Sequence, residues 1–436
     1  MTGKPALLVK NCAVVLEPYA KRRVLRPFVI EDPEAFVDKS LSRTERVVAK
    51  ILAMSGAQLD AEFSRMLDPL RLRHRDPEAA LRAQAQAIAK SIPALAAHTE
   101  KHKLLIGAYF SQEFSFESAA LFNPSIVVHP ENAGANDGDT RFVVSLRGIG
   151  EGHVSSLTFR TGVWRRDNSV VIDDASQFAE GPTVRQETLN NGRMLAHLQC
   201  GGARDISETV LYPFLPSQGR GIEDVRMVQF TDGDGQRSYR GTYTAFDGVE
   251  VRQGLIHTSD FQSFEMRGVE GDLYAGKGMA LFPRMIDGRY AMLSRQDNES
   301  IWIVFSNNLY HWTGGTKLLS PRQPWEYIQL GNCGSPIEID EGFLVLTHGV
   351  GATRNYCMGA ALLDKHDPTR VIGRLIEPLL TPADQRDGYV PNVVYSCGAL
   401  VRGRTMLLPF GVADSITRFG TVSIDDLVGR MDRSPT

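Results

Sequence analysis

From Asn123 onward the chain breaks into short β-rich runs separated by Gly, Asp and Asn turns, whereas residues 1 to about 120 carry helical spacing. Five of the runs share one design, an apolar or aromatic strand ending in a polar or glycine element. These two observations, with a third about spacing, predict a mainly β fold: a five-bladed β-propeller (121–436) behind an N-terminal α-helical extension (1–120). The runs are TRFVVSLRG (140–148), RSYRGTYTAFDG (237–248), GRYAMLSRQD (288–297), EGFLVLTHGV (341–350) and GRTMLLPFGV (403–412). Thr244, Arg295, His348 and Gly411 mark equivalent places, and their separations lie near 50 to 60 residues, the length of a four-stranded blade. The first interval, Arg147 to Thr244, is about twice as long and must hold an insertion. A β-sandwich is the structural alternative, but its strands need not carry polar residues at a matched, blade-sized period.

Within the extension, TERVVAKILAMSGAQLDAEFSRML (44–67) places apolar residues three and four apart, and Gly56 can divide it in two. Asp76-Pro77-Glu78 reads as a helix start: a capping acid, proline at the first helical position, then an acid near the positive end. A further helix is expected over Leu104–Leu121. This region shows little chemistry, and a structural or oligomerising role is expected of it.

The 436 residues are 42% hydrophobic and 23% charged, an ordinary globular composition. A net charge of −3 gives no basic field for nucleic acid. Cys12, Cys200, Cys333, Cys357 and Cys397 are odd in number, scattered and free of C-x-x-C pairs, which argues against a disulfide framework and a zinc ribbon. No metal-ligand spacing is visible. The start MTGKPALLVKN lacks a secretory apolar core, and no run approaches a membrane span, so a cytoplasmic protein without membrane partners is expected.

In a propeller, equivalent strands converge on one channel, so Arg147, Arg295, His348 and Asp414 are expected to share a pocket. The segment QGRGIEDVRMVQF (218–230) concentrates Glu223, Asp224 and Arg226. As an extended strand it turns Asp224 and Arg226 to one face and Glu223 to the other. A surface turn with an ion pair is the plainer reading. GKGMALFPRMIDGRYAMLSRQD (276–297) puts Lys277 and Arg295 on either side of a hairpin, a pair of cations suited to an anion such as phosphate. Its Gly276-x-Gly278 is too short for a dinucleotide fingerprint. RGIGEGHVSSLTFRTGVW (147–164) offers Glu151 as a base, a sugar-hydroxyl acceptor or merely a loop acid.

The ordered segments FNPSI, SLRG, GIEDVR, GTYTAFDG, KGMALFPRMIDGRYAMLSR, GNCGSPIE, FLVLTHGV, GAALLDKHDPTRVIGR, VPNVVYSCG and FGVAD resemble glycoside hydrolase family 130, the β-mannoside phosphorylases and β-mannosidases, from about Asn123 to Val428. The resemblance implies a five-bladed propeller. It makes Asp224 the proton donor, acting through a sugar hydroxyl, and gives Asn123, Arg147 and Asp414 to the mannose subsite, with Arg226 beside them. Lys277, Arg295, His348 and Tyr356 fall where phosphorylase members hold phosphate. One departure is Gln329, which stands where phosphorylases carry a lysine before the turn Gly331-Asn332-Cys333-Gly334. A charge-assisted contact to a desolvated anion is worth about 1.5–3 kcal/mol, so its loss weakens a dianion site. The extension and the GEGHVSSL segment also look like hydrolase branches.

The expectation is therefore inverting cleavage of β-mannosides, β-1,2-linked by preference, through hydrolysis. Glu151 or Glu223 would be the base, about 6.5–9.5 Å from the acid. Phosphorolysis to mannose 1-phosphate is the alternative, with inorganic phosphate as co-substrate. A non-catalytic carbohydrate-binding propeller is the alternative of another class. The partner is an oligosaccharide; no cofactor or metal is expected, and a homo-oligomer is possible.

Overall fold

The computed structural model describes residues 8–32, 41–132, 138–190, 192–273, 275–384 and 388–434. The first seven residues, on which part of the reading of the N-terminal start rests, and residues 33–40 of the extension lie outside that set.

Helices form at Arg43–Leu52, Gly56–Arg73, Pro77–Ala89 and Glu100–Tyr109. The division at Gly56 follows from Ser55, whose side chain accepts from Gln58 N while Gln58 caps back, so a second helix nucleates there. Asp76 caps the third helix, with Pro77 at its first position.

The extension is not wholly helical. The expected helix over Leu104–Leu121 ends at Tyr109, and Ser111–Phe114 pairs as a strand with Val24–Pro27. Further upstream, Lys10–Leu16 alternates between exposed and half-buried positions and pairs with Ile416–Ser423 near the C-terminus. That period of two is the strand signal that the helical reading of the region passed over.

The rest is built from five antiparallel meanders in chain order. The first runs through Ala120–Val128, Thr140–Ile149, Ser155–Trp164 and Val170–Ile172. The second comprises Gly221–Thr231, Arg237–Phe246, Val251–Thr258 and Ser263–Gly268. Ala280–Leu281, Tyr290–Ser294, Ile301–Ser306 and Thr316–Leu319 make the third. The fourth sets Gln329–Asn332 and Ile337–Ile339 against Gly342–Val350, followed by Tyr356–Leu363 and Val371–Arg374. The fifth sets Val394–Tyr395 and Leu400–Arg402 against Thr405–Val412, then Ile416–Ser423, and Lys10–Leu16 completes it. All five runs singled out in the sequence are the second strand of a meander. The insertion expected after Arg147 includes Thr183–Thr188 and Met194–Gln199, which extend the outer edge of the second.

Three meanders break their first-strand ladder at a residue with positive φ, Asn123 (48°), Asp224 (50°) and Gly334 (114°), while Gly278 (92°) and Asn392 (62°) each stand two residues before the first strand of the third and fifth. Asn, Asp and Gly are the residues that tolerate this conformation. After the doubled first interval these positions follow one another at blade-sized spacing. In the first two meanders the break is a register shift, between Phe122 and Ser125 and between Glu223 and Arg226. Such a bulge re-aims the side chains on either side of it.

The helical region docks through ion pairs as well as apolar contact. Arg73 holds Glu113 with two bonds of 2.7 and 2.8 Å, His74 adds a third at 2.9 Å, and Arg75 reaches the buried Glu208. A second anchor is fully enclosed: Glu117 receives Arg22 at 3.0 Å and Arg160 at 2.7 Å. Burying such charges is tolerable only because each finds its partner.

Candidate functional site

The bulged first strands and the ends of the second strands surround a cavity of about 440 Å³. The first meander contributes Asn123 and Arg147, the second Asp224 and Arg226, and the third Lys277 and Arg295. The fourth contributes Gln329, His348, Thr353, Arg354 and Tyr356, and the fifth Val390–Val393, Tyr395 and Asp414. The structure thus brings together nine of the residues singled out from the sequence: Asn123, Arg147, Asp224, Arg226, Lys277, Arg295, His348, Tyr356 and Asp414.

The bulge overturns one expectation. Glu223 and Asp224 do not face opposite ways; both reach Arg147. Arg147 Nη2 donates to Glu223 Oε1 at 2.6 Å, and Nη1 lies 3.4 Å from Asp224 Oδ1. Glu223 also accepts from Lys277 Nζ at 2.9 Å. It is held between two cations and is not among the cavity-lining residues. Glu151 is farther from its expected place. It lies on the exposed turn Glu151–His153 and does not line the cavity, because the hairpin carries it past the strand end where Arg147 stands.

Asp224 accepts from Asn123 Nδ2 at 2.7 Å. Burial pushes its pKa up, but Arg147, Arg226, Lys277 and the Asn123 bond outweigh burial and hold the carboxyl below its ordinary value. Asn123 Oδ1 is buried without a hydrogen-bond partner. Asp414 behaves in the opposite way. Burial, then the nearby Asp224 charge, push its pKa up to about 6, against the opposing pull of Arg147. Two carboxylates in one cavity are thus driven apart by their surroundings.

The far wall is cationic. Arg295 sits 3.5 Å from His348 Nε2, and Gln329, with its side-chain oxygen turned to Arg295, accepts from Nε at 3.0 Å. Burial, then Arg295 and Arg226, depress the His348 pKa to about 3, so the ring is neutral. Its Nδ1 lies 3.3 Å from the Asn332 carbonyl, which fixes that nitrogen as the donor and leaves Nε2 with its lone pair. A Cβ at Gly331 would run into the imidazole, so that glycine is required beneath it. Tyr356 stacks on His348 at 6.1 Å.

Sequence reasoning missed Arg354 and Tyr395. Tyr395 accepts from Arg226 Nη2 at 2.7 Å and fixes that guanidinium. Thr353 and Arg354 both adopt positive φ (56° and 54°), a loop geometry with no sequence signature.

Among the described residues, no group of three or more His, Cys, Asp or Glu is placed to hold a metal ion, and no helix is long and apolar enough to cross a membrane.

The family model for glycoside hydrolase family 130, described as β-1,4-mannooligosaccharide phosphorylase, matches residues 203–433. A β-1,2-mannobiose phosphorylase from Listeria innocua is 35% identical over 233 residues, 51% of this chain. The chain spans 63% of that protein's length. A 1,2-β-oligomannan phosphorylase from a Thermoanaerobacter species is 35% identical over 211 residues, 48% of this chain and 70% of the relative. Among solved structures, a putative glycoside hydrolase from Parabacteroides distasonis aligns with a TM-score of 0.52 at 20% identity, covering 72% of this chain and 90% of that one. Another, described among family members that target β-1,2 mannosidic linkages in Candida mannan, aligns at 0.51 and 22% identity, covering 71% and 86%. With its ordered motifs and more than half its length matched, the chain belongs to glycoside hydrolase family 130.

Proposed function

We propose that the five meanders are the blades of a β-propeller and that the cavity at its axis cleaves β-mannosides by phosphorolysis, releasing α-mannose 1-phosphate with inversion. Two regularities support the propeller: five antiparallel meanders that follow one another along the chain, and their convergence on one cavity. A second hollow is lined by those same first strands farther along, from Ile126–Val128, Met227–Gln229, Pro283, Pro336 and Ala399, as the opposite mouth of one channel requires. The described part of the extension is then a brace around the blades, with its first strand, Lys10–Leu16, closing the ring.

The observation that carries phosphorolysis is the sidedness of charge. Asp224 and Asp414 share the wall formed with Arg147, and the Asp224 charge raises the pKa of Asp414. The other wall, with Arg295, Gln329, His348 and Tyr356, has no carboxylate among the cavity-lining residues, and Lys277 stands between the two walls, paired with the Glu223 that Arg147 also holds. An inverting hydrolase needs a base there to activate water. Glu223 is ion-paired with both Arg147 and Lys277 and does not line the cavity, and Glu151 is outside. Phosphate needs no base, because it arrives as an anion. In this reading a phosphate oxygen bonds to the anomeric carbon while the glycosidic C–O bond breaks, and the electron pair leaves with the departing oxygen. That oxygen takes the proton supplied by Asp224 through a sugar hydroxyl. Asn123, with its unpartnered buried Oδ1, and Asp414 accept sugar hydroxyls, and Arg147 and Arg226 set the position of Asp224. The named activities of the relatives favour a β-1,2 linkage.

Hydrolysis stays as the second reading for one reason, the neutral Gln329. The test is product analysis on β-1,2- and β-1,4-mannobiose with and without inorganic phosphate. Mannose 1-phosphate formed only with phosphate supports the proposal. Free mannose at equal rates in both overturns it in favour of hydrolysis, and binding without cleavage of any mannoside would leave a carbohydrate-binding propeller.

A further inference from the structure

Two aromatic residues from distant parts of the chain meet beside the cavity. His153 lies on the turn between the second and third strands of the first meander, and Tyr389 precedes the cavity-lining Val390–Val393. Their rings stack with centroids 6.3 Å apart and planes 21° from parallel. Tyr389 is nonetheless 71% exposed, so His153 covers part of it and leaves the rest to solvent. An exposed aromatic ring at a cavity edge adds little to the core. It offers a flat apolar surface of the kind that the C–H face of a sugar ring covers well.

Both rings are held in place. Tyr389 N donates to Ser415 Oγ at 2.8 Å, and Val390 N to the Ala413 carbonyl at 2.9 Å, which ties Tyr389 to the turn that carries Asp414. On the other side, the His153 turn is closed by a bond from His153 N to the Gly150 carbonyl at 3.2 Å. Gly150 rests so closely on Phe114–Phe116 of the N-terminal region that a Cβ there would collide with them. Positioned rings lose little freedom when a ligand docks on them.

The location assigns the ligand. The pair bridges the first and fifth meanders, on the side of Asn123, Arg147 and Asp414. The cationic wall belongs to the third and fourth. In a single inverting displacement the nucleophile and the leaving group occupy opposite faces of the sugar. If phosphate occupies the cationic wall, the departing sugar lies toward the first and fifth meanders. We propose that Tyr389, backed by His153, is the platform on which the leaving-side sugar of the β-mannoside stacks. This inference rests on the phosphorolytic reading above.

The synthetic direction tests it, with α-mannose 1-phosphate as donor and mannose as acceptor. Removing one aromatic contact by Tyr389→Ala should raise the acceptor KM about 2- to 12-fold. The donor KM should stay within twofold, and Tyr389→Phe should restore the acceptor KM, because stacking does not use the hydroxyl. An unchanged acceptor KM, or equal rises in both KM values without rescue by phenylalanine, overturns the platform. A wild-type protein that forms no mannose 1-phosphate from mannobiose and phosphate fails the phosphorolytic reading itself and takes the platform with it. Because that assay is run on the wild type first, the two failures are distinguishable.

Discussion

Replacing Asp414 by asparagine should make the free protein more stable at neutral pH while impairing its turnover. The carboxyl is half-buried beside Asp224 and Glu223, and burial together with those charges lifts its pKa from 3.8 to about 6. For an acid, a raised folded-state pKa penalises the folded state wherever the group is ionised. The penalty is absent well below pH 3.8, grows between 3.8 and about 6, and is complete above. A shift of about two units corresponds to about 3 kcal/mol at pH 7.5, and the same two-state titration leaves about 1 kcal/mol at pH 4.5. Asparagine fills the same space and cannot ionise. Urea unfolding of wild type and Asp414→Asn at the two pH values should therefore show the variant gaining about 2 kcal/mol more at pH 7.5 than at pH 4.5. An equal stability difference at both pH values, or a variant that loses ground as pH rises, would refute the electrostatic account of this site. The proposed mannoside cleavage should fall in the variant, because asparagine's amide cannot replace both acceptor oxygens.

Asp224→Asn should lower kcat by about 100- to 10,000-fold, as loss of a general acid does, while mannobiose binding measured by calorimetry stays within a few-fold. Glu151→Gln should leave kcat/KM within about twofold, since an exposed turn residue outside the cavity touches no reacting atom; a 100-fold loss would restore Glu151 as a base. Gln329→Lys should lower the phosphate KM by about 3- to 10-fold, the gain of one charge-assisted contact being partly offset by losing the bond to Arg295. An unchanged phosphate KM would mean that phosphate does not reach that wall. Glu117→Ala leaves the buried Arg22 and Arg160 without their partner and should cost about 3–5 kcal/mol in urea unfolding.

Much of this arrangement was legible in the chain because strands repeat. The apolar run before Arg147, Arg295 or His348 fixes a second strand, and the end of that strand must lie near the ends of its equivalents. The helix starts at Ser55 and Asp76 were equally local, each set by one cap. What could not be read was anything decided by a long-range partner. Lys10–Leu16 becomes a strand because Ile416–Ser423, some four hundred residues away, offers it an unpaired edge. Glu223 looked like a free base because strand alternation, applied without the bulge, turned it away from Asp224. A single left-handed residue at Asp224 shifts the register and delivers both carboxylates to Arg147.

The same electrostatics bear on how Asp224 can serve as an acid. In the free protein, burial favours its neutral form, but Arg147, Arg226, Lys277 and the Asn123 amide prevail and keep it ionised. An ionised carboxylate has no proton to donate. Two of the cations are not fixed against a ligand: Lys277 is partly exposed, at 42%, and Arg147 divides its guanidinium between Glu223, Asp224 and Ser155. A phosphate dianion arriving near Lys277 and Arg295 cancels part of the positive field, and a sugar displacing water from Asp224 strengthens the burial term. Both changes move its pKa upward, toward the protonated form that cleavage requires. If the proposed phosphorolysis holds, the cationic wall does more than hold the nucleophile. It keeps the acid discharged until the nucleophile and the sugar are both in place, which suppresses protonation of a glycosidic oxygen when only water is available to attack.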